Sequence, residues 1–408
     1  MGKRPNTRAG TREGPGQDAP RHARQHDDLE SALTRAIAKV ESRLLGAGGE
    51  ACCRRLEFND VGIPWLLCDL TGNEEYAGLG RRVFDRLAEN RGWTEPSENN
   101  GFRIYYSAVL GYKLTGDPRM HAEAMRGLKT TERIFDPRAG VFRGDAWVKG
   151  AQSTLVDTGA TLSPFLWAAK AKPRYQQMLQ SHFRRAICDH VRPDGSTFQM
   201  ALIDPQTKET VGHRTYQGYA EDSCWARGQA WAIYGFAGAY EVLRLPLFLE
   251  MAAKLADWYV EHLPDDCIPY YDFLDPHIPD AAKDTSAAAL ACAGLLRLCR
   301  HWADAPRRYE QVIRATMEAL QREYLTPVDA HDSRPPGMLL GGCWGRFPDE
   351  FVRRNSAWIH PQNTHQGDYY VWKRNIVLPE SGELFYTLGF FVEALHRLLK
   401  PDSGLLDF

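Results

Sequence analysis

The stretch "DSCWARGQAWAIYGFAGAY", residues 222–240, is apolar on nearly every side of the helix that it predicts. A helix of that composition is buried all round, because a surface helix would carry a polar stripe. The segment "DTSAAALACAGLL", residues 284–296, has the same character. Both begin with Asp followed by Ser or Thr, which can cap the free N–H groups of a first turn. Both therefore predict inner helices of a larger helical assembly.

Helical patterning extends outward from these two segments over most of the chain. Apolar residues recur at helical spacing in about twelve candidate helices, near 29–46, 61–70, 74–90, 102–114, 118–134, 158–170, 173–191, 222–241, 246–262, 284–300, 304–323 and 383–399. Strand patterns are few and short, near 196–204 and 268–273. The sequence therefore predicts an all-α fold with short β ribbons in its loops.

The turns between the candidate helices repeat one design, in which Gly or Pro separates two helices. Examples are "LTGNEEY" (70–76), "LTGDPRM" (114–120), "AKPRY" (171–175) and "DAPRRY" (304–309). Gly favours helix ends and Pro favours helix starts. Because one helical hairpin cannot bury its apolar face alone, such a series must stack. Twelve paired helices favour a closed double ring of six and six, with an open solenoid as the alternative.

The bulk composition excludes several partners. The 408 residues are 43% hydrophobic and 25% charged, with a formal net charge of −2, which is ordinary for a globular protein. No basic surface for nucleic acid is indicated. The longest apolar run, residues 230–240, is far shorter than the ~20 residues of a membrane span. We expect neither a nucleic-acid partner nor a membrane.

Residues 1–28 are rich in Gly, Pro, Arg and Gln and contain almost no large apolar side chain. Such a segment cannot bury enough surface to offset its ordering entropy, so we predict a disordered basic tail. Residues 29–408 are then one ring-shaped catalytic domain. No signal-peptide pattern is present. The nine cysteines are odd in number and form no CxxC motif, which favours reduced thiols and a cytoplasmic location.

Arg227 and Trp231 are the first candidate site residues, because they lie four positions apart on one predicted helix face. A guanidinium binds two oxygens of a sugar carboxylate, and an indole can cover an apolar ring face. The alternative is a structural Arg bonded to a carboxylate or carbonyl of a neighbouring helix. The spacing alone leaves both interpretations open.

Asp157 is the candidate acid. It precedes small residues and then an apolar run, "TGATLSPFLWAAK" (158–170). One interpretation is an N-cap. The other is a general acid, because burial in an apolar pocket raises the pKa of a carboxyl and can keep it protonated near neutrality.

Two polar turns add weaker signals. "SENNGF" (97–102) places two Asn residues, of which Asn99 is the first, before a Gly, as helix caps do. "RPDGSTFQ" (192–199) is a turn signature followed by alternating residues, which predicts a short ribbon with Gln199 on one face. His residues do not cluster at metal spacing, and no nucleotide-binding motif is present. We expect no metal and no other cofactor.

Taken together and in order, these segments resemble glycoside hydrolase family 88, the unsaturated glucuronyl hydrolases. The most specific part is "RPDGSTF" (192–198) followed by "QGYAEDSCWARGQAWAIYGFAGAYE" (217–241). The segments "DTGATLSPFLWAAK" (157–170) and "LFYTLGFFVEALHRLL" (384–399) are similar too. The resemblance covers roughly residues 55–400. It implies the family's fold, an (α/α)6 toroid.

The resemblance also implies an activity. Family members remove a 4,5-unsaturated uronic acid from the non-reducing end of oligosaccharides made by polysaccharide lyases. Unlike ordinary glycosidases, they do not attack the anomeric carbon. An Asp acid/base protonates the C4=C5 enol ether and helps water to add at C5; the hemiketal then collapses and the glycosidic bond breaks. No metal is required, and the implied partner is a small-molecule unsaturated uronide.

The resemblance further implies roles for individual residues. Asp157 matches the family's acid/base. Gln217, Arg227 and Trp231 match its substrate-contacting Gln, Arg and Trp.

Two pocket positions depart from the family pattern. Where the family reads His-Asp-x-Gly-Phe, this chain reads "ENNGF" (98–102), so Asn99 replaces a second Asp. Asn keeps hydrogen bonding but cannot titrate. The family's pocket His is Gln199 here, which cannot carry a proton near neutral pH. Glu98 is adjacent, but at the start of a helix we expect it to point elsewhere.

Three functions remain open on these residues. The first is a family hydrolase with an altered uronide substrate. The second is a recruited enzyme that performs acid-catalysed, non-glycosidic chemistry on a secondary metabolite. The third is an inactive carbohydrate-binding scaffold. The stretch 345–378, which reads as an insertion before the last helix, can reshape the mouth of the site in each of them.

Overall fold

The structure, a computed structural model, describes residues 58–89, 93–144, 151–327, 337–345 and 386–408, together with residues 31, 376–377 and 384. The predicted tail 1–28 lies outside the described residues. So do nearly all of the predicted helix 29–46 and of the insertion 345–378. That residues 29–408 form one domain stays a prediction.

The described chain is mainly helical. Its helices are α1 (Ile63–Thr71), α2 (Glu74–Glu89), α3 (Asn100–Arg103), α4 (Leu110–Thr115), α5 (Pro118–Thr131), α6 (Thr158–Thr161), α7 (Ser163–Ala169), α8 (Pro173–His190), α9 (Ala226–Leu243), α10 (Pro246–Glu261), α11 (Thr285–Arg300), α12 (Arg307–Ala319) and α13 (Thr387–Leu399). A π-helical segment, Ile104–Val109, joins α3 to α4 in one rod. A second π-helical segment, Leu320–Tyr324, extends α12. None of the described helices is long and apolar enough to cross a membrane.

Short strands occupy the loops, as predicted. They are β1 (Phe135–Asp136), β2 (Val141–Phe142), β3 (Gln152–Leu155), β4 (Met200–Ile203), β5 (Thr210–Arg214), β6 (Cys343–Gly345) and β7 (Ile376–Val377). Strands β3, β4 and β5 form an antiparallel sheet in which Met200 pairs with both Leu155 and Arg214. The sheet holds the chain on either side of it at fixed positions, and two candidate site residues, Asp157 and Gln199, lie directly beside its ends.

Helices α9 and α11 are the inner helices that the sequence predicts. Nearly every residue of both is buried. Their backbones approach closely, because a Cβ atom on Gly294 would lie only 3.1 Å from the backbone nitrogen of Tyr234. On the other side of α9, a Cβ atom on Gly235 would lie 3.0 Å from the carbonyl carbon of Gly159 in α6. Glycine is needed at such contacts because any side chain would force the helices apart.

The predicted helix starts are confirmed at α11 and wrong at α9. Asp284 caps α11, since its Oδ1 accepts from the backbone N–H of Ser286 at 3.0 Å. Helix α9, in contrast, begins at Ala226 and not at residue 222. The hydroxyl of Ser223 donates instead to Asp272 Oδ2 at 2.6 Å, because the chain before α9 pairs with the segment around residue 272. The predicted strand near 268–273 is reduced there to isolated bridges.

The predicted helix over 158–170 is divided in two. Leu162 leaves the helical conformation between α6 and α7, and Pro164 sits in the first turn of α7. Proline fits there because a helix has no intrahelical partner for the N–H groups of its first turn. Because of this break, α6 is a single turn, and the segment that follows Asp157 does not continue into α7 as one helix.

Candidate active site

Asp157 stands on the turn between β3 and α6. Its carbonyl accepts from Ala160 N at 3.0 Å and from Thr161 N at 3.2 Å, which starts the helix. Its side chain makes no capping hydrogen bond, although the residue occupies the N-cap position. The N-cap interpretation of this carboxyl is therefore wrong. The side chain is partly exposed on a turn whose neighbouring residues are buried.

Asn99 lies on a second turn that packs against the first. The contact is made by Gly101, where a Cβ atom would lie only 1.6 Å from the carbonyl oxygen of Thr161. No residue but Gly fits this approach. Asn99 is half-buried and holds the N-cap position of α3, yet its side chain makes no capping hydrogen bond. The two predicted catalytic positions, 99 and 157, therefore occupy adjoining turns.

Glu98 reaches beneath the turn that carries Asp157. It is buried, with only 4% of its surface exposed. Its Oε2 accepts a hydrogen bond of 2.9 Å from the hydroxyl of Thr158, the residue that follows Asp157. The chain around 98 has not yet entered α3, so the side chain is free of helical geometry and reaches back across to the turn of residues 157–158. Composition gave no signal for this.

Gln199 organises the loop beside the sheet. Its carbonyl accepts from Val156 N at 2.9 Å, which ties it to the Asp157 turn. Its side-chain Oε1 accepts from three donors, Thr215 Oγ1 at 2.6 Å, Tyr216 N at 3.0 Å and Gln217 N at 3.1 Å. Its Nε2 donates to Gln217 Oε1 at 2.6 Å. The side chain at this position must accept three hydrogen bonds and donate one. An amide can do both, which explains why Gln occupies it.

Gln217 is held between this loop and strand β6. Its Nε2 donates to the carbonyl of Trp344 at 3.0 Å. Gly345 approaches so closely that a Cβ atom there would lie 2.4 Å from the carbonyl oxygen of Gln217. Only 3% of Gln217 is exposed. Strand β6 thus packs directly on Gln217, the residue that was predicted to contact the substrate.

Arg227 has no exposed surface, and its partners are all protein groups. Nη1 donates to Asp284 Oδ2 at 2.6 Å, to Ser286 Oγ at 2.9 Å and to the carbonyl of Cys343 at 2.6 Å. Nη2 donates to the carbonyl of Trp344 at 2.7 Å. This arrangement is the structural alternative raised for Arg227, a bond to a carboxylate of a neighbouring helix.

Trp231 belongs to an aromatic cluster and does not flank Arg227. Its ring centroid lies 5.3 Å from those of Phe102 and Phe390 and 6.0 Å from that of Tyr386. The indole beside the Arg227 guanidinium is Trp225, with 4.5 Å from the Cζ atom to the ring centroid. Arg227 and Trp231 lie one helical turn apart on α9 and both contact Tyr386, but the ring that packs on the guanidinium is that of Trp225, so their joint action on a substrate stays a prediction.

Tyr386 is a site residue that the sequence did not reveal. It precedes α13 with φ +70°, a left-handed conformation that costs a non-Gly residue about 1–3 kcal/mol. Its ring lies between Trp231 and the guanidinium of Arg227, which is 5.6 Å from the ring centroid. Strained residues persist where the surroundings fix them, and functional sites collect them.

The site as a whole lies where helices begin. Positions 99, 157, 227, 284 and 386 all stand at or just before the first turns of α3, α6, α9, α11 and α13. Helix N-termini carry partial positive charge and unpaired N–H groups, which favour an anionic ligand. Among the described residues, no group of three or more His, Cys, Asp or Glu side chains is arranged to hold a metal ion.

Solved structures define the class of fold. The crystal structure of the unsaturated glucuronyl hydrolase from Bacillus sp. GL1 matches with a TM-score of 0.73 at 22% identity, over 91% of this chain and 97% of that one. An unsaturated glucuronyl hydrolase specific for heparin matches with a TM-score of 0.74 at 20% identity, over 92% and 98%. These proteins are (α/α)6 toroids, and the predicted fold is confirmed.

Sequence relatives agree with the structures, although no family model matches the chain. The unsaturated glucuronyl hydrolase of Formosa agariphila is 30% identical over 58% of this chain, which spans 61% of that enzyme's length. The enzyme of Bacillus sp. (strain GL1) is 27% identical over 84% of this chain and 85% of its own. The unsaturated chondroitin disaccharide hydrolase of Streptococcus pneumoniae is 26% identical over 76% and 78%. The chain is therefore similar to the unsaturated glucuronyl hydrolases in sequence and in fold, at the low identity that a divergent member of glycoside hydrolase family 88 would show.

Proposed function

We propose that this chain is a hydrolase that removes the 4,5-unsaturated uronic acid residue from the non-reducing end of a small oligosaccharide. The relatives are unsaturated glucuronyl and unsaturated chondroitin disaccharide hydrolases, which supports this substrate class. The observation that carries the proposal is Asp157, an acid on a partly exposed turn whose side chain performs no capping role.

The proposed reaction is the hydration of an enol ether. Protonated Asp157 gives its proton to C4 of the C4=C5 double bond, and positive charge develops at C5 and the ring oxygen. Water adds at C5 and returns a proton to Asp157, so that the acid is regenerated. The resulting hemiketal opens to a ketone at C5, which leaves C1 as a hemiacetal. C1 then becomes an aldehyde and expels the second sugar as an alcohol. One water is consumed, and one glycosidic bond is broken.

Asn99 is proposed to assist without titrating. It adjoins the Asp157 turn and is half-buried, so its amide can hold a sugar hydroxyl or the attacking water by hydrogen bonds. It cannot accept a proton or raise the pKa of Asp157 by like-charge repulsion. Proton transfer then rests on Asp157 itself.

The substrate-contacting roles of Gln199, Gln217, Arg227 and Trp231 stay predictions. Gln217 and Arg227 both donate to the carbonyl of Trp344. A sugar carboxylate can reach either side chain only if that carbonyl moves, because Arg227 has no exposed surface. We therefore propose that Arg227 acts on the substrate through the strand β6 that it holds, and that the sugar meets Trp344 and Tyr386 first.

The chain is proposed to work in the cytoplasm on a diffusible small-molecule substrate. The odd number of scattered cysteines supports a reducing compartment. Import of short unsaturated oligosaccharides would supply the substrate there.

An absorbance assay tests the proposed function. A panel of unsaturated glucuronyl di- and trisaccharides is incubated with the wild type, Asp157→Asn and Asn99→Asp, and loss of the conjugated ultraviolet band is followed together with release of the second sugar. We expect turnover by the wild type that Asp157→Asn loses. Turnover gained only in Asn99→Asp would mean that the pocket fits the sugar but lacks the proton chemistry. No turnover by any of the three contradicts the hydrolase.

A further inference from the structure

The hydrogen bond between Glu98 and Thr158 joins the two turns of the candidate site. Thr158 has no exposed surface, and Glu98 is nearly as deeply buried. The bond is 2.9 Å long, from the hydroxyl to Oε2. A hydrogen bond to a carboxylate is about twice as strong as one between neutral groups. Only the peptide bond between residues 157 and 158 separates this anchor from the backbone of Asp157.

We propose that Glu98 is a positioning residue that holds Asp157 in its reactive orientation through Thr158. The inference rests on the proposed function, because it assigns to Glu98 a part in the same reaction. The chain has lost a carboxylate at position 99 relative to the family, and it carries one at position 98 whose oxygen reaches the acid's own turn.

The surrounding residues fix the position of the Glu98 side chain. Its backbone carbonyl accepts from Gly101 N at 3.0 Å, which fixes the turn that carries it. A Cβ atom on Gly144 would lie 3.2 Å from Glu98 Oε2, so the carboxylate is packed against backbone on that side. The Gly101–Thr161 contact holds the two turns against each other. The carboxylate is thereby kept at one place relative to Thr158.

Thr158 transmits this position to the acid. Its carbonyl accepts from Leu162 N at 3.2 Å and from the hydroxyl of Thr161 at 2.9 Å, so the residue is bonded at both its side chain and its backbone. Helix α6 is only one turn long and has little stiffness of its own. Loss of the side-chain bond would let the turn rotate, and a displacement of about 1 Å of a catalytic group can cost on the order of 100-fold in rate.

The kinetic test compares a variant that lacks the hydroxyl of residue 158 with one that keeps it. Thr158→Val keeps the shape but cannot donate, whereas Thr158→Ser keeps the donor. We expect Thr158→Val to lower kcat by about 10- to 100-fold with less than a threefold change in KM, and Thr158→Ser to stay within about threefold of the wild type. Glu98→Ala should match Thr158→Val. The double variant should be no slower than either single variant, because both act through one bond.

A measurement without turnover separates this inference from the proposed function. The protein is labelled with ¹³C at the Asp carboxyl carbons, and the Asp157 resonance is assigned by its loss in Asp157→Asn. We expect Thr158→Val and Glu98→Ala to shift this resonance and Thr158→Ser to leave it in place. If the wild type hydrolyses no unsaturated glucuronide, the proposed function fails while this spectrum still decides on the positioning.

Two results would overturn the inference. The first is an Asp157 resonance that is the same in Thr158→Val as in the wild type. The second is a Thr158→Val enzyme with unchanged kcat. Should Thr158→Val not fold, Glu98→Gln takes its place, because it keeps size and an acceptor oxygen but loses the charge. It should shift the Asp157 resonance less than Glu98→Ala does and lower kcat to an intermediate value; no shift and no fall in kcat would equally reject the inference.

Discussion

Arg227 and Asp284 form an ion pair of 2.6 Å in which neither side chain has any exposed surface. The Nη atoms of the guanidinium also donate to Ser286 and to the carbonyls of Cys343 and Trp344, whereas its buried Nε has no hydrogen-bond partner among the described residues. A buried charge requires a paired counter-charge and further hydrogen bonds of this kind, because desolvation of each ion costs several kcal/mol. The pair therefore joins α9, α11 and β6 at the end of the fold where the site lies.

Removal of one partner of this pair should cost much stability. Arg227→Met leaves the Asp284 carboxylate buried and without its cation, which typically costs about 3–5 kcal/mol. The free energy of unfolding in urea measures the loss. The double variant Arg227→Met/Asp284→Asn should lose less than Arg227→Met alone, since no unpaired charge remains. Full stability of Arg227→Met with a raised KM would instead support direct contact between Arg227 and the substrate.

Gln199→His should destabilise the loop and should not restore a family-like pocket. The amide oxygen of Gln199 accepts from three donors, whereas a neutral imidazole offers one acceptor nitrogen. Each buried donor left without a partner costs about 1–3 kcal/mol. Gln199→Met is the matched control, because it keeps the length of the side chain but offers the three donors no strong acceptor, and it should lose more stability than Gln199→His in the same urea titration. Equal losses from the two variants would contradict this account of Gln199.

Gly101→Ala should disrupt the contact between the two catalytic turns. The new Cβ atom would lie 1.6 Å from the carbonyl oxygen of Thr161, and backbone cannot yield as a side chain can. We expect a loss of at least about 3 kcal/mol in unfolding free energy and loss of turnover. Gly78→Ala in α2 is the control, because the nearest atom to its Cβ would be 3.8 Å away on a flexible Arg82. It should gain about 0.5–1 kcal/mol; similar behaviour of both variants would contradict the close approach.

Acid should destabilise the fold through two buried histidines. Burial lowers the pKa of His182 to about 3 and that of His190 to about 4, while an unfolded chain titrates His near 6.5. Between these values the unfolded state binds more protons, so stability falls as pH falls from about 6.5 towards 4. In His190→Gln the amide can still donate to the Phe198 carbonyl, but one of the two titrating groups is gone. The unfolding free energy of this variant should therefore fall less steeply with falling pH, by about the contribution of one proton. Unfolding titrations at several pH values measure it, and an unchanged slope in the variant would contradict the assignment.

The fold was predictable from the sequence because a helix that is apolar on all sides must be buried inside a larger helical assembly. Residues 222–240 and 284–296 are apolar all round and rich in small residues, and both form buried helices at these places. The start of α9 was not predictable, because Ser223 had a distant partner, Asp272, that competed with helix capping. Helix caps depend on local residues only when no tertiary bond claims the side chain.

The site was only partly predictable. Asp157 could be singled out by its neighbours and by the family resemblance. The position of Glu98, which lies 60 residues before its partner Thr158 in the chain, depends on how two turns pack, and no local pattern encodes that. Arg227 shows the opposite problem. Its spacing to Trp231 predicted that the indole of Trp231 would flank the guanidinium, but the indole that packs there is that of Trp225, at the residue before α9.

The measurement that tests the central claim most directly follows deuterium from D₂O into the uronic acid released during a single turnover of an unsaturated glucuronyl disaccharide. Mass spectrometry and nuclear magnetic resonance of the early-quenched product locate the label. The account predicts one deuterium at C4, loss of the ultraviolet band in step with release of the second sugar, and neither change with Asp157→Asn. Release of an acid that keeps its C4=C5 double bond and carries no deuterium at C4 would contradict it, because water would then have attacked the anomeric carbon.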